Sequence, residues 1–150
     1  MSISNNSTRL SPEQMVWRWR AYLSGPVVIP LILHAVVFSK GGPLGDLGDW
    51  TDYLVLIGVG LLAISVVVSM WYRKHAAPWL DKLRAPDEEQ YRRLYTKWLI
   101  GITIADLPAI LGIVHFMYTA NSWPMLVLSA ASFVLICLYK PSFRAPIQNT

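Results

Sequence analysis

The sequence predicts an all-α membrane protein of four transmembrane helices arranged as two hairpins, with helical extensions at the cytoplasmic interface. Three observations carry that fold class. Hydrophobic residues make up 54% of the 150 and charged residues only 15%, against about one quarter charged in soluble domains. The apolar residues gather in four blocks, each close to the roughly 20 residues that a hydrocarbon core about 30 Å thick requires. Each block is bordered on at least one side by Trp, Tyr, Lys or Arg, the side chains that suit the headgroup region. The length is that of one domain, placed at 11–140 between two tails, 1–10 and 141–150.

Residues 1–10 are rich in Ser and Asn and read as a disordered tail. Ser11-Pro12-Glu13-Gln14 is a helix start, with Ser11 as cap, Pro12 at the first helical position and Gln14 closing a capping box. The helix that follows carries Trp17, Arg18, Trp19 and Arg20. Half-wet indoles and guanidinium groups that meet lipid phosphate make Trp17 and Trp19 interfacial anchors. The first span, 22–39, is long for the apolar region of a secretory signal, and Phe38-Ser39-Lys40-Gly41 offers no small-x-small cleavage pattern. It reads as a retained span, and Pro26 and Pro30 make it the least regular because each deletes a backbone donor.

The second span, 53–72, ends at Ala76-Ala77-Pro78. The loop 73–97 then carries Arg73, Lys74, Lys82, Arg84, Arg92, Arg93 and Lys97. Within it, 79–84 forms an amphipathic turn anchored by Trp79, and Pro86-Asp87-Glu88-Glu89 begins a helix with acidic residues at its positive end. That helix is expected to run into the third span, 98–118, leaving Arg92 and Arg93 as anchors just outside the lipid core. Asn121 and Ser122 form a short loop before the fourth span, 123–139. The loop 40–52 holds one Lys against Asp46, Asp49 and Asp52, so the positive-inside rule places the basic loop and both chain ends in the cytoplasm. A bacterial inner membrane with N-in and C-in is the expected location.

The same residues exclude several function classes. A formal net charge of +4 does not make a nucleic-acid surface here, because the cations sit at the ends of apolar blocks rather than in a polar and aromatic patch. Cys137 is the single cysteine, which rules out an internal disulfide, a thiolate cluster and a CxxC pair. No Gly-rich phosphate loop, GxSxG or HExxH occurs, so no enzyme, metal or cofactor is expected. His34 and His115 lie in spans that run the same way, but counting from Arg20 and Lys97 puts His115 farther out, and bis-His haem ligation needs matched depth. His75 reads as an ordinary residue at the membrane boundary.

Asp106 is the most informative residue: the one acid inside an apolar span, nine residues beyond Lys97 and therefore near mid-membrane. An ionised carboxylate is costly there unless a partner is close. Two readings are open: a hydrogen bond that locks the bundle, or the binding of a proton or cation. Pro108 opens the helix beside it by removing the amide that would bond to the Ile104 carbonyl. Depth counting brings Ser65 and Ser132 to the same level, with His34 slightly farther out, as possible polar partners. A weak internal repeat aligns Pro30, Ile32, Leu33, Val36 and Phe38 with Pro108, Ile110, Leu111, Val114 and Phe116, both copies running outward as a parallel repeat would.

The run from Ala105 to Val114, with Asp106 followed by Ile110, Gly112 and Val114, resembles the proton-binding helix of the c subunit, or proteolipid, of rotary ATP synthases. The resemblance implies that Asp106 matches the carboxylate that binds the translocated proton or sodium ion. It covers one helix, and it extends to a group of uncharacterised bacterial four-helix membrane proteins that share such a helix. The preceding span departs from the pattern, carrying only Gly58-Val59-Gly60 in place of a repeated Gly-x-Gly. The long loop 73–97 replaces the family's tight polar loop and would crowd a ring. The resemblance thus implies a relative that kept the helix but not the rotor. The expected function is a non-enzymatic accessory or assembly subunit of a larger membrane complex, whose partners are the lipid bilayer and other subunits or its own copies. The alternative is a small proton- or cation-binding membrane protein centred on Asp106.

Overall fold

Long apolar runs leave a buried backbone to satisfy its own amides and carbonyls, and this chain does so as helix. The structure is a computed structural model describing residues 12–45, 48–75 and 88–141. These residues form four helices: α1, Pro12–Lys40; α2, Trp50–His75; α3, Glu88–Thr119; and α4, Ser122–Cys137. Three of them are long and apolar enough to cross a membrane. The capping residue Ser11, the tails, and the turn at 79–84 with Trp79 lie outside the described residues.

Two elements differ from expectation. The span with two prolines is not interrupted: α1 continues through Pro26 and Pro30, both of them buried. The fourth helix is shorter than its span, at 16 residues or about 24 Å. Its end tightens because the amides of Leu138, Tyr139 and Lys140 bond three residues back, to Leu135, Ile136 and Cys137. That tightening turns Tyr139 into the bundle, where it is 1% exposed. The helix expected to begin near Glu88 does run unbroken into the third span, giving α3 its 32 residues.

Helix α3 is the spine. It packs most extensively on α4 and α2 and also touches α1, while α1 leans mainly on α4. Helices α1 and α2 are consecutive but barely meet. In place of the expected first hairpin, α1 and α2 each lie against the α3–α4 pair and not against each other. One core cluster joins Met15 of α1, Tyr72 of α2, Trp98 of α3 and Tyr139 after α4; a second, at the other end, joins Val37, Phe116 and Met125. The start of α1, the end of α2, the start of α3 and the end of α4 thus share one end of the bundle, the end that carries Arg18, Arg20, Arg73, Lys74, Arg92, Arg93, Lys97 and Lys140. At the opposite end α4 is joined to α3 through Ala120 in the left-handed region (φ 55°) and Asn121, whose side chain accepts from the Trp123 amide at 3.2 Å.

Glycine lets the backbones of α3 and α4 approach closely. A Cβ on Gly112 would stand 3.0 Å from Met125 Cα and 3.2 Å from the Pro124 carbonyl oxygen, whereas Gly60 has nothing within 4 Å. Gly112→Leu is expected to force α3 from α4 and lower stability by about 1–3 kcal/mol, while Gly60→Ala is neutral or slightly stabilising because it gains helix propensity. Thermal unfolding in detergent, followed by circular dichroism, checks the pair; equal effects would contradict this packing.

Candidate functional site

Pro108 has no amide hydrogen, so the Ile104 carbonyl one turn earlier loses its helical donor. The lost donor is replaced from α2. Ser65, 1% exposed, places its hydroxyl 2.9 Å from the Ile104 oxygen and 2.7 Å from the carbonyl of Leu61 on its own helix, sharing one hydrogen between them. From the other side Ser132 of α4, 0% exposed, accepts the Ala109 amide at 3.1 Å. Two serines on flanking helices therefore hold the loosened turn of α3 from both sides. Ser69 continues the line on α2, donating to the Ser65 carbonyl at 2.7 Å with its hydroxyl 3.1 Å from that of Tyr139.

Asp106 lies inside this turn, half-buried. The serines reach its level but bond to backbone on either side of it, Ser65 to the carbonyl orphaned by proline and Ser132 to the Ala109 amide. Among the described residues no hydrogen bond or ion pair reaches the Asp106 carboxyl. His34 does not approach it. Its ring stacks 5.6 Å from Phe116 and lies 5.5 Å from Phe38, and Phe116 is ten residues along α3 from Asp106, about 15 Å. The same stacking closes the depth gap expected between His34 and His115, since His115 adjoins Phe116; His115 is buried with Nδ1 3.3 Å from Thr119 Oγ1.

The aromatic and basic residues divide into two sets. Trp17 is 71% exposed, Arg92 is exposed, and Arg93 pairs with Glu89 one turn earlier. Trp19 instead packs inward and donates Nε1–H to the Ile136 carbonyl at 3.0 Å. Trp98, read from sequence only as the border of a span, is fully buried and donates to the Tyr139 carbonyl at 2.8 Å. The signal for it is register: 98, 102, 105, 109, 112 and 116 form a continuous stripe at helical spacing, and all six are buried. Arg18 donates to the Tyr95 hydroxyl, and Lys97 Nζ sits 5.7 Å from the centre of the Trp71 ring.

No protein-family model, no curated protein and no solved structure matches the chain. The chemistry must be read from the turn itself. A mid-helix carboxyl in an opened turn, with neighbouring hydroxyls already committed to backbone, is a group that can exchange a proton or accept a donor from outside the chain.

A double-mutant cycle tests the serine replacement. Ser65→Ala is expected to cost roughly 0.6–2 kcal/mol, the range of interhelical hydrogen bonds in membranes. In a Pro108→Ala background, where residue 108 again has an amide for Ile104, the same change is expected to be nearly silent. Unfolding in detergent measures both; additive effects would mean that Ser65 and Pro108 are not coupled.

Proposed function

We propose that this chain is an integral membrane protein of the bacterial inner membrane, with four spans and both ends in the cytoplasm, and that it serves as a non-enzymatic accessory or assembly subunit of a larger membrane complex. The observation that carries the reading is Asp106. Its neighbours are used up on the backbone, so a half-buried acid in the otherwise uncharged span 98–118 takes its partner from outside the chain, and a donor on an adjacent subunit is the simplest one. The membrane placement is supported by the three long apolar helices and by the gathering of every described Lys and Arg but Lys40 at one end of the bundle, as the positive-inside rule requires. At 16 residues α4 crosses a thinned bilayer or one whose boundary is reached by Tyr139 and Lys140.

A second reading is that the partner of Asp106 is a proton or a cation. It is favoured by the half-buried, unpaired carboxyl and by the resemblance of 105–114 to a c-subunit helix. The two separate cleanly. In the subunit reading a partner co-purifies in mild detergent, Asp106→Asn retains it because the amide still accepts a hydrogen bond, and Asp106→Leu loses it. In the ion reading the carbodiimide DCCD labels Asp106 in a pH-dependent manner and Asp106→Asn abolishes the labelling. Recovery of a monodisperse monomer with no partner, and with Asp106 inert to DCCD, would contradict both.

The orientation has its own test. A cysteine at Gly45 is expected to react with an impermeant thiol reagent added to intact cells and a cysteine at Glu88 to be protected. The reverse pattern would invert the topology.

A further inference from the structure

One cleft takes no part in anything described so far. It lies between the second half of α1 and α4, has a volume of about 480 Å³, and opens sideways on the apolar surface. Pro26, Pro30, Ala130 and Phe133 form much of its wall, and the polar side chains in that wall are His34, Ser122 and Ser129. No Lys, Arg, Asp or Glu lines it.

Ser129 makes the cleft unusual. It is 4% exposed, and its Oγ is buried without a hydrogen-bond partner. Ser65 and Ser69, by contrast, donate to the carbonyl four residues back on their own helix. A buried hydroxyl without a partner is an open requirement for an acceptor or donor, in a residue that itself lines the cleft, and staggered χ1 wells let a serine hydroxyl re-aim without moving its helix.

The size, extent and chemistry of the space narrow its occupant. The volume falls in the range of about 300–1,000 Å³ occupied by small-molecule sites, which often lie between helices of bundles with apolar walls and a few polar groups. Along α1 the lining runs from Pro26 to His34, about 12 Å. Along α4 it runs from Ser122 to Phe133, about 17 Å, so both lengths fall short of a roughly 30 Å membrane crossing and of a docked transmembrane helix. The absence of a lining Lys or Arg disfavours a phosphate headgroup. Ser122, Ser129 and an imidazole N–H of His34 can each donate a hydrogen. Donors in an apolar cleft without a carboxylate or a fixed cation call for an uncharged body that carries neutral acceptors.

We propose that the α1–α4 cleft binds one molecule of a lipid-soluble quinone, its ring against the Pro26, Pro30 and Phe133 walls and a ring carbonyl accepting from Ser129, with His34 the second donor. The ligand reaches the cleft from the lipid, so this site rests on the membrane placement proposed above. It is a binding site, and no electron transfer is assigned to it.

The test uses the full chain in nanodiscs titrated with decylubiquinone by calorimetry, against empty nanodiscs. Saturable binding at one site per chain is expected. Ser129→Ala is expected to weaken it about tenfold, as loss of one buried hydrogen bond does, without lowering thermal stability, since the hydroxyl has no partner to lose. Ala130→Trp fills the cleft and is expected to abolish binding, while Ile64→Trp, on the exposed face of α2, leaves it unchanged. Uptake equal to that of empty nanodiscs, or indifferent to both Ser129→Ala and Ala130→Trp, would overturn the proposal. So would a tightly held phospholipid, counted by mass spectrometry, that Ala130→Trp releases and decylubiquinone does not displace. A chain that fails to enter nanodiscs would overturn the membrane placement and the site with it, whereas entry without saturable binding overturns the site alone.

Discussion

The Ile104 carbonyl needs a donor that Pro108 cannot supply, and much of the bundle is arranged around that need. A buried carbonyl without a partner costs on the order of 1–3 kcal/mol, so the proline is tolerable only where another helix carries a hydroxyl to the same height. Ser65 does so at 2.9 Å, and Ser132 meets the Ala109 amide from the opposite side. Each contact ties α3 to a different neighbour, which fixes the height of α2 and α4 relative to the spine. The Ser65–Ser69–Tyr139 line then carries the same register toward the basic end.

At that end the same accounting governs the last carbonyls of α4. A helix leaves its final carbonyls without internal donors, and here the indole N–H groups of Trp19 and Trp98 reach the carbonyls of Ile136 and Tyr139. These bonds come from α1 and α3, so the end of the shortest helix is held by the two helices that begin beside it. Tyr139, with its ring 4.7 Å from that of Tyr72, fills the space that Gly101 leaves open; a Cβ there would come within 2.5 Å of the ring. Gly112 plays the corresponding part at the other end of α3. The glycine of the Ile110-x-Gly112-x-Val114 word thus serves the crossing of α3 with α4 inside one chain.

Satisfaction of the backbone at the Pro108 turn and at the end of α4 makes the exceptions meaningful. Asp106 and Ser129 are polar groups for which the described chain supplies no hydrogen bond. They lie on different helices, the first in the loosened turn of the spine and the second beside the α1–α4 cleft. The two point to different kinds of occupant: a charged or dipolar partner for a carboxyl, and a neutral one for a hydroxyl among prolines and phenylalanine.

Much of this fold is legible in the sequence because it depends on local properties. Apolar run length, Pro12 at a helix start, the acidic residues before α3 and the one-sided distribution of Lys and Arg each act within a turn or a loop, and helices at those places follow. Depth counting also reads locally, since rise per residue is constant, and it brings Ser65 and Ser132 to the level of Asp106. What the sequence leaves open is direction around the helix axis and choice of partner. Whether a serine at the right height turns to a carboxyl or to a carbonyl depends on which buried group is left unsatisfied across the interface. That α1 and α2 part to flank α3 and α4, that Trp98 is core while Trp17 is surface, and that Ser129 is left without a bond are outcomes of packing between segments distant in the chain. Only the tertiary structure decides them, because the free energy of each contact belongs to a pair of faces and neither face alone specifies it.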